Sequence, residues 1–254
     1  MRVEVAFSPA GLAASGVTGR TVFVVDTLRA GTTVCAALAH GARGVIPVAS
    51  IEEAMKLSQT LERGEVLLTG ERSTVRIEGF DLGNSPLEMT EATVRGKTLV
   101  MTTTNGTRAI LATAGAEEVY LAAAVNLGVA GARAREVLAA RDDLLVLCAG
   151  REHAFALEDA FTAGRLIFEA LEGRRIKKGL NDAALVSVDL AHRYGRRWLR
   201  PFLLSRAGRE LATTGFRDDV LEAALEDRYP VLPQFHDRRI TAAPLPVSAA
   251  PTLA

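Results

Sequence analysis

Short apolar runs rich in β-branched residues recur at positions 3–7, 21–25, 44–48, 66–69, 98–101, 118–121 and 144–148, and nothing else in the chain limits its fold as strongly. The runs are almost continuously apolar, which is the pattern of strands covered on both faces. Helix-compatible stretches at 30–40, 51–61, 107–114, 125–140 and 157–172 lie between most of them. Such alternation predicts an α/β chain, a three-layer α/β/α architecture around a mostly parallel or mixed sheet. Residues 181–225 read as a helical flank punctuated by Gly195, Pro201, Gly208 and Gly215. Residues 1–240 are expected to form one unit, or two closely packed lobes dividing near 95–100. Beyond Arg239 the chain carries no charge and three prolines, Pro244, Pro246 and Pro251, so 241–254 reads as an Ala/Pro-rich frayed tail.

In alternating α/β folds ligands gather where strands end and helices begin. Four turns there are rich in carboxylates, arginines and hydroxyls. Asp26 follows the run 21–25 and precedes Arg29, Thr32 and Thr33 at a helix start, where free N–H groups suit phosphate. Glu71 and Arg72 follow 66–69, and an irregular loop then supplies Asp81, Asn84 and Ser85 before Pro86. Thr104, Asn105, Gly106, Thr107 and Arg108 follow 98–101, with Asn105-Gly106 suited to a tight turn of positive φ. Glu158 and Asp159 open the helix after Cys148-Ala-Gly150, where acids complement a helix dipole or bind Mg²⁺. His153 is a minor candidate acid, and the arginines of 193–200 read as a solvated or packing face.

Composition removes several alternatives. Lys+Arg 30 balance Asp+Glu 30, so no global field favours nucleic acid or an anionic membrane, and the same neutrality sets no barrier to a homodimer. Cys35 and Cys148 offer neither a disulfide framework nor paired zinc spacing, and both read as buried and reduced. No run approaches the roughly 20 apolar residues of a membrane span, and the N-terminus does not resemble a signal peptide, so a cytoplasmic protein is expected. Three phosphate-handling schemes fail on the residues: position 28 is Leu where a haloacid-dehalogenase-type site needs a second Asp, Ala154 stands where a cysteine phosphatase needs Arg, and there is no Walker loop. A metal-activated water is the more economical nucleophile.

Taken together, 25–33, 70–72, 79–86, 103–108, 148–150 and 157–159 resemble the 2-phosphosulfolactate phosphatase family, as do the C-terminal strings 205–208, 215–216, 218–220 and 229–233. The chain departs from that family's usual pattern at Ser73-Thr-Val-Arg76, His153 and Ala156. The resemblance implies Mg²⁺-dependent hydrolysis of a phosphate monoester, 2-phospho-3-sulfolactate, on the route to coenzyme M. The expected Mg²⁺ ligands are a subset of Asp26, Glu71, Glu158 and Asp159, with Arg29, Arg72 and Arg108 on the anions of a small phosphorylated acid. Asn84, Ser85, Thr104, Asn105 and Thr107 would complete the cradle, with Asp81 a candidate general acid or base. Two alternatives stay open at this point: a covalent mechanism with Asp26 as nucleophile, and a module that binds a phosphorylated metabolite without turning it over.

Overall fold

The computed structural model describes residues 2–12, 16–62, 64–140, 143–172 and 179–246. Its strands are β1 (Val3–Ala6), β2 (Thr21–Val25), β3 (Gly44–Pro47), β4 (Val66–Arg72), β5 (Val75–Arg76), β6 (Thr98–Thr102), β7 (Glu118–Ala122), β8 (Leu144–Cys148), β9 (Leu232–His236) and β10 (Arg239–Ala243). All ten join one mixed sheet in the order β1-β8-β2-β7-β9-β10-β3-β6-β4-β5. β1, β8, β2 and β7 run parallel on one side, and β3, β6 and β4 run parallel on the other. Between these halves the β9–β10 hairpin pairs antiparallel with both, Gln234 opposite Tyr120 and Ile240 opposite Val45. The halves do not follow chain order, since β6 lies between β3 and β4 while β7 returns to the first half.

The helices are α1 (Ala30–Ala39), α2 (Ile51–Thr60), α3 (Glu91–Val94), α4 (Gly106–Leu111), α5 (Leu127–Ala139), α6 (Leu157–Ala170), α7 (Asp182–Tyr194), α8 (Leu199–Leu204), α9 (Arg206–Thr213) and α10 (Arg217–Ala223). Successive side chains of a strand point to opposite faces, and here both faces are covered. Phe23 and Val25 meet α5, α6 and the C-terminal helices, while Val22 and Val24 meet α1 and α4. In the second half Leu99 and Met101 share the α1 side, and Val100 packs with α2 through Ala54. Continuous apolar strands are therefore what the three layers require. No helix among the described residues is long and apolar enough to cross a membrane.

One sequence expectation fails at the C-terminal end. Residues 240–243 are not a frayed tail but part of β10, inside the sheet, with Ile240 fully buried. Of the rest of that expected tail, 244–246 carry no regular structure, and 247 onward lies outside the described residues. The Ala-rich composition conceals the strand because β10 lies beside β9, where small side chains suffice.

Candidate active site

β2 is buried along its whole length and ends at Asp26, where α1 begins four residues later. The Ala30 N–H donates to Asp26 Oδ1 at 3.2 Å, and the Gly31 N–H donates to the Asp26 carbonyl at 2.7 Å. The start of α1 thus fixes Asp26, whereas the sequence reading left those N–H groups for phosphate. Two glycines make room for it. A Cβ on Gly31 would stand 2.7 Å from the Asp26 carbonyl oxygen, and one on Gly106 would overlap Asp26 Oδ2 and lie 2.7 Å from Ala30 Cβ. Gly106 does not adopt a positive φ, so space rather than turn geometry requires glycine there.

Glu71, at the end of β4, is buried, and both its oxygens accept backbone N–H groups, Oε1 from Thr104 at 2.9 Å and Oε2 from Thr74 at 3.0 Å. Ser73 and Thr74 form the tip of the β4–β5 hairpin with φ of 50° and 71°. That left-handed conformation is costly for residues with a Cβ, and the bonds to Thr74 hold it in place. One comes from Glu71. The other is the Arg29 Nη2 bond to the Thr74 carbonyl at 2.8 Å.

Arg29 is buried, with Nη1 2.6 Å from Asp219 Oδ2 and its guanidinium 4.4 Å from the centre of the Phe216 ring. Asp219 Oδ1 accepts from the Ser85 hydroxyl at 2.7 Å. α10 therefore ties the loop before Pro86 to the start of α1. Asp219 was visible only as an acid in a C-terminal string, because nothing local connects it to a residue 190 positions away.

At the β8–α6 corner, Asp159 accepts from the Thr27 N–H at 3.0 Å and the Gly150 N–H at 3.1 Å, which joins the ends of β2 and β8. Arg151 follows Gly150 and pairs with Glu210 of α9. Glu152 and His153 form a second two-residue turn with φ of 50° and 66°, closed by hydrogen bonds between Arg151 and Ala154. His153 is exposed in that turn.

Burial, with the Glu71 and Glu158 carboxylates nearby, pushes Asp26 up to about 7, against the opposing pull of the Ala30 N–H and Arg29. Asp159 is raised well above its ordinary value by burial and by the Glu158 and Asp26 charges. Glu158 is raised by burial, and the Ser205 hydroxyl works against that shift. The charges of these carboxyls act on one another, so ionising one makes the next harder to ionise.

A cavity of about 110 Å³ collects Asp26, Arg29, Glu71, Asn84, Thr104 and Asn105 of the residues expected from sequence. It adds Ser73, Thr74, Arg151, Glu152 and Glu210, which the sequence reading gave no role. Three buried polar atoms on this lining lack a hydrogen-bond partner: Asn84 Oδ1, Thr104 Oγ1 and Arg151 Nε.

The other expected residues do not line this cavity. Arg72 donates to the Glu71 carbonyl at 2.7 Å and to Thr102 Oγ1 at 3.1 Å. Arg108 is exposed, because α4 buries Gly106, Thr107, Ala109 and Ile110. Asp81 is exposed and accepts the Leu68 N–H at 2.7 Å, so it braces β4. The Thr32 hydroxyl donates to the Thr27 carbonyl at 2.8 Å, and that of Thr33 to the Asn84 carbonyl at 3.0 Å. Thr107 closes a local turn with Thr103 through bonds of 3.1 and 3.2 Å. Glu158 faces a neighbouring hollow, described below.

Among the described residues no group of three or more His, Cys, Asp or Glu side chains forms a metal cluster. Mg²⁺ needs only one or two carboxylates and keeps several waters. Asp26 and Glu71, together with the unpartnered Asn84 Oδ1, supply hard oxygens of that kind on one cavity.

Comparison with known proteins gives the family of the chain. Residues 6–238 match the family model described as 2-phosphosulpholactate phosphatase. A protein of Symbiobacterium thermophilum named probable 2-phosphosulfolactate phosphatase is 41% identical over 222 residues, covering 87% of this chain and 94% of the relative. Proteins of the same name from Caldanaerobacter subterraneus and Clostridium novyi are 38% and 34% identical, covering 85% and 95% of this chain and 87% and 100% of the relatives.

Proposed function

The chain belongs to the 2-phosphosulfolactate phosphatase family, and from this we propose that it hydrolyses a small, multiply anionic phosphate monoester of the 2-phospho-3-sulfolactate type with the help of Mg²⁺. The charge of the cavity carries the metal part of the reading. Its lining holds four carboxylates, Asp26, Glu71, Glu152 and Glu210, against two guanidiniums, Arg29 and Arg151, each of which already faces an acid. Glu152 also faces Arg206, and the excess of acids in this lining favours a polyanionic ester that enters with a further cation.

Asp26, Glu71 and Asn84 are the residues that would hold Mg²⁺. When bound, the ion neutralises phosphate oxygen and lowers the pKa of water. Phosphate ester hydrolysis passes through a loose transition state, so positioning and neutralisation supply most of the rate. Arg29 retains donors beyond those given to Asp219 and Thr74, and these serve the phosphate. The Thr104 hydroxyl and Asn84 Oδ1, unpartnered within the protein, orient the ester or its attacking water. Burial holds the Asp26 carboxyl near 7 in the metal-free protein, and a bound Mg²⁺ would favour its ionised form, the form that serves as a ligand.

The test is phosphate release from phosphosulfolactate, phospholactate and isopropyl phosphate, with Mg²⁺ and with EDTA. Release that needs Mg²⁺ and favours the acid-bearing esters is expected. Release unaffected by EDTA removes the metal, and silence on all three esters removes the phosphatase reading.

A further inference from the structure

We propose that Arg151 is the residue that selects esters bearing a second acid group, with Glu210 as its internal competitor. The inference rests on the phosphatase reading and names the part of the pocket that chooses the substrate.

Three arginines were expected to meet the anions of the substrate, and the fold removes two of them. Arg72 is engaged with the Glu71 carbonyl and Thr102 away from the cavity, and Arg108 points to solvent. Arg29 does reach the cavity, but its side chain is only 3% exposed and lies beneath Asp219, the Thr74 carbonyl and the Phe216 ring. It sits among Asp26, Glu71 and Asn84, where the phosphate belongs. A second acid attached to the same small ester needs a different cation.

Arg151 meets that need on three counts. Its side chain is 21% exposed, so an incoming group can touch it. Its Nε is buried without a hydrogen-bond partner, so its fork has a donor to give. It also lines both the main cavity and an adjoining hollow of about 220 Å³, which Arg206, Ser205 and the buried Glu158 line as well. An ester whose phosphate lies near Asp26 can extend its acid toward this wall. Carboxylate and sulfonate both accept two parallel N–H bonds from a guanidinium.

Glu210 makes the arrangement selective. Its carboxylate already pairs with Arg151, so a neutral substituent gains nothing by approaching. An acid group takes over the place of Glu210, and α9 can release it because the Glu210 side chain is 31% exposed. The backbone presenting Arg151 is firm. Gly150 has φ of +63°, and a Cβ there would stand 2.7 Å from the Phe7 carbonyl oxygen. The Glu152 N–H donates to Asn105 Oδ1 at 3.2 Å, and the Ser8 hydroxyl donates to the His153 carbonyl at 2.9 Å.

The experiment compares kcat/KM for phosphosulfolactate, phospholactate and isopropyl phosphate in wild type, Arg151→Met, Arg151→Lys and Glu210→Gln. The preference for acid-bearing over plain ester should fall about tenfold to hundredfold in Arg151→Met, the loss of one charge-assisted hydrogen-bond pair. It should recover in part in Arg151→Lys and rise a few-fold in Glu210→Gln. A fall confined to phosphosulfolactate identifies the sulfonate as the partner, and a fall shared with phospholactate identifies the carboxylate. A preference unchanged in Arg151→Met overturns the inference even if wild type is an active phosphatase. Calorimetric binding of 3-sulfolactate separates the two readings. Binding by wild type that is lost in Arg151→Met supports the role of Arg151 even if no ester is hydrolysed, and equal binding by both proteins overturns it.

Discussion

Replacing Asp26 with Asn should make the metal-free protein more stable while abolishing turnover. Asp26 ionises near 3.8 in an unfolded chain and near 7 in the fold, through burial and the Glu71 and Glu158 charges. A carboxyl raised in this way favours the folded state fully below pH 3.8, and that contribution is lost as pH climbs to 7. About three pH units at roughly 1.4 kcal/mol each set a ceiling of about 4 kcal/mol. Asp26 lines a cavity and is partly accessible, so solvent screening should leave roughly half of that. For a chain of 254 residues, 1 kcal/mol corresponds to about 2 °C in Tm, so about 4–8 °C is at stake. Asn cannot ionise, yet its Oδ1 can still accept the Ala30 N–H. Differential scanning fluorimetry from pH 4 to pH 8 should therefore show the variant level with wild type at pH 4 and about 4–8 °C above it at pH 8. Adding 10 mM Mg²⁺ at pH 8 should raise wild type and leave the variant unmoved, since a bound ion stabilises only the protein that holds it. A difference in Tm that does not change with pH would refute the electrostatic reasoning. A Mg²⁺ shift retained by the variant would remove Asp26 from the metal site.

Other substitutions probe the scaffold around that carboxylate. Asp219→Ala leaves Arg29 buried without its counter-charge, which should cost about 3–5 kcal/mol and lower Tm by about 6–10 °C, whereas Arg29→Met with Asp219→Leu should recover most of that loss. A drop of less than about 2 °C in the single variant would show the pair to be solvated. Gly106→Ala should destabilise by about 1–3 kcal/mol and cut kcat more than it raises KM, because the new methyl displaces the Asp26 carboxylate, and wild-type kinetics would deny the contact. Arg108→Ala should leave KM within about twofold of wild type, and a large rise in KM would put Arg108 back among the residues that meet substrate.

The strands of the parallel halves were legible because each is a nearly unbroken apolar run, and the helices between them were legible by the same contrast. β9 and β10 were not legible. Leu232-Pro-Gln-Phe-His236 carries a proline and polar residues, and β10 is small and Ala-rich. Both read as strands only once the sheet halves on either side supply hydrogen-bond partners. At the site, the position of a residue at a strand's end identified Asp26 and Glu71, since topology alone brings such ends together, while Asn84 came from the irregular loop before Pro86. Residue type misled where a side chain had a local partner. Arg72 and Asp81 look like ligand contacts but hydrogen-bond backbone within a few residues or on a neighbouring strand. Arg108 failed for a third reason, helix phase: its neighbours on α4 point inward and it does not. Asp219 and Glu210 needed the packing of α9 and α10 against each other, α8 and the segment 86–88, which no spacing in the sequence announces.

The β9–β10 hairpin has a consequence in time as well as in space. Among the described residues it is the only link of the sheet between the two parallel halves, so it acts as a keystone laid after both sides of the arch. During synthesis Asp26, Glu71 and Asn84 leave the ribosome long before residues 232–243 arrive to bring their strands into one sheet. Until then the nascent chain must carry two sheet edges, β7 and β3, whose N–H and C=O groups await partners, the exposure that invites pairing with another chain. Pulse proteolysis of chains stopped before Leu232 should find both halves open to cleavage, with protection appearing in one step once the hairpin is present.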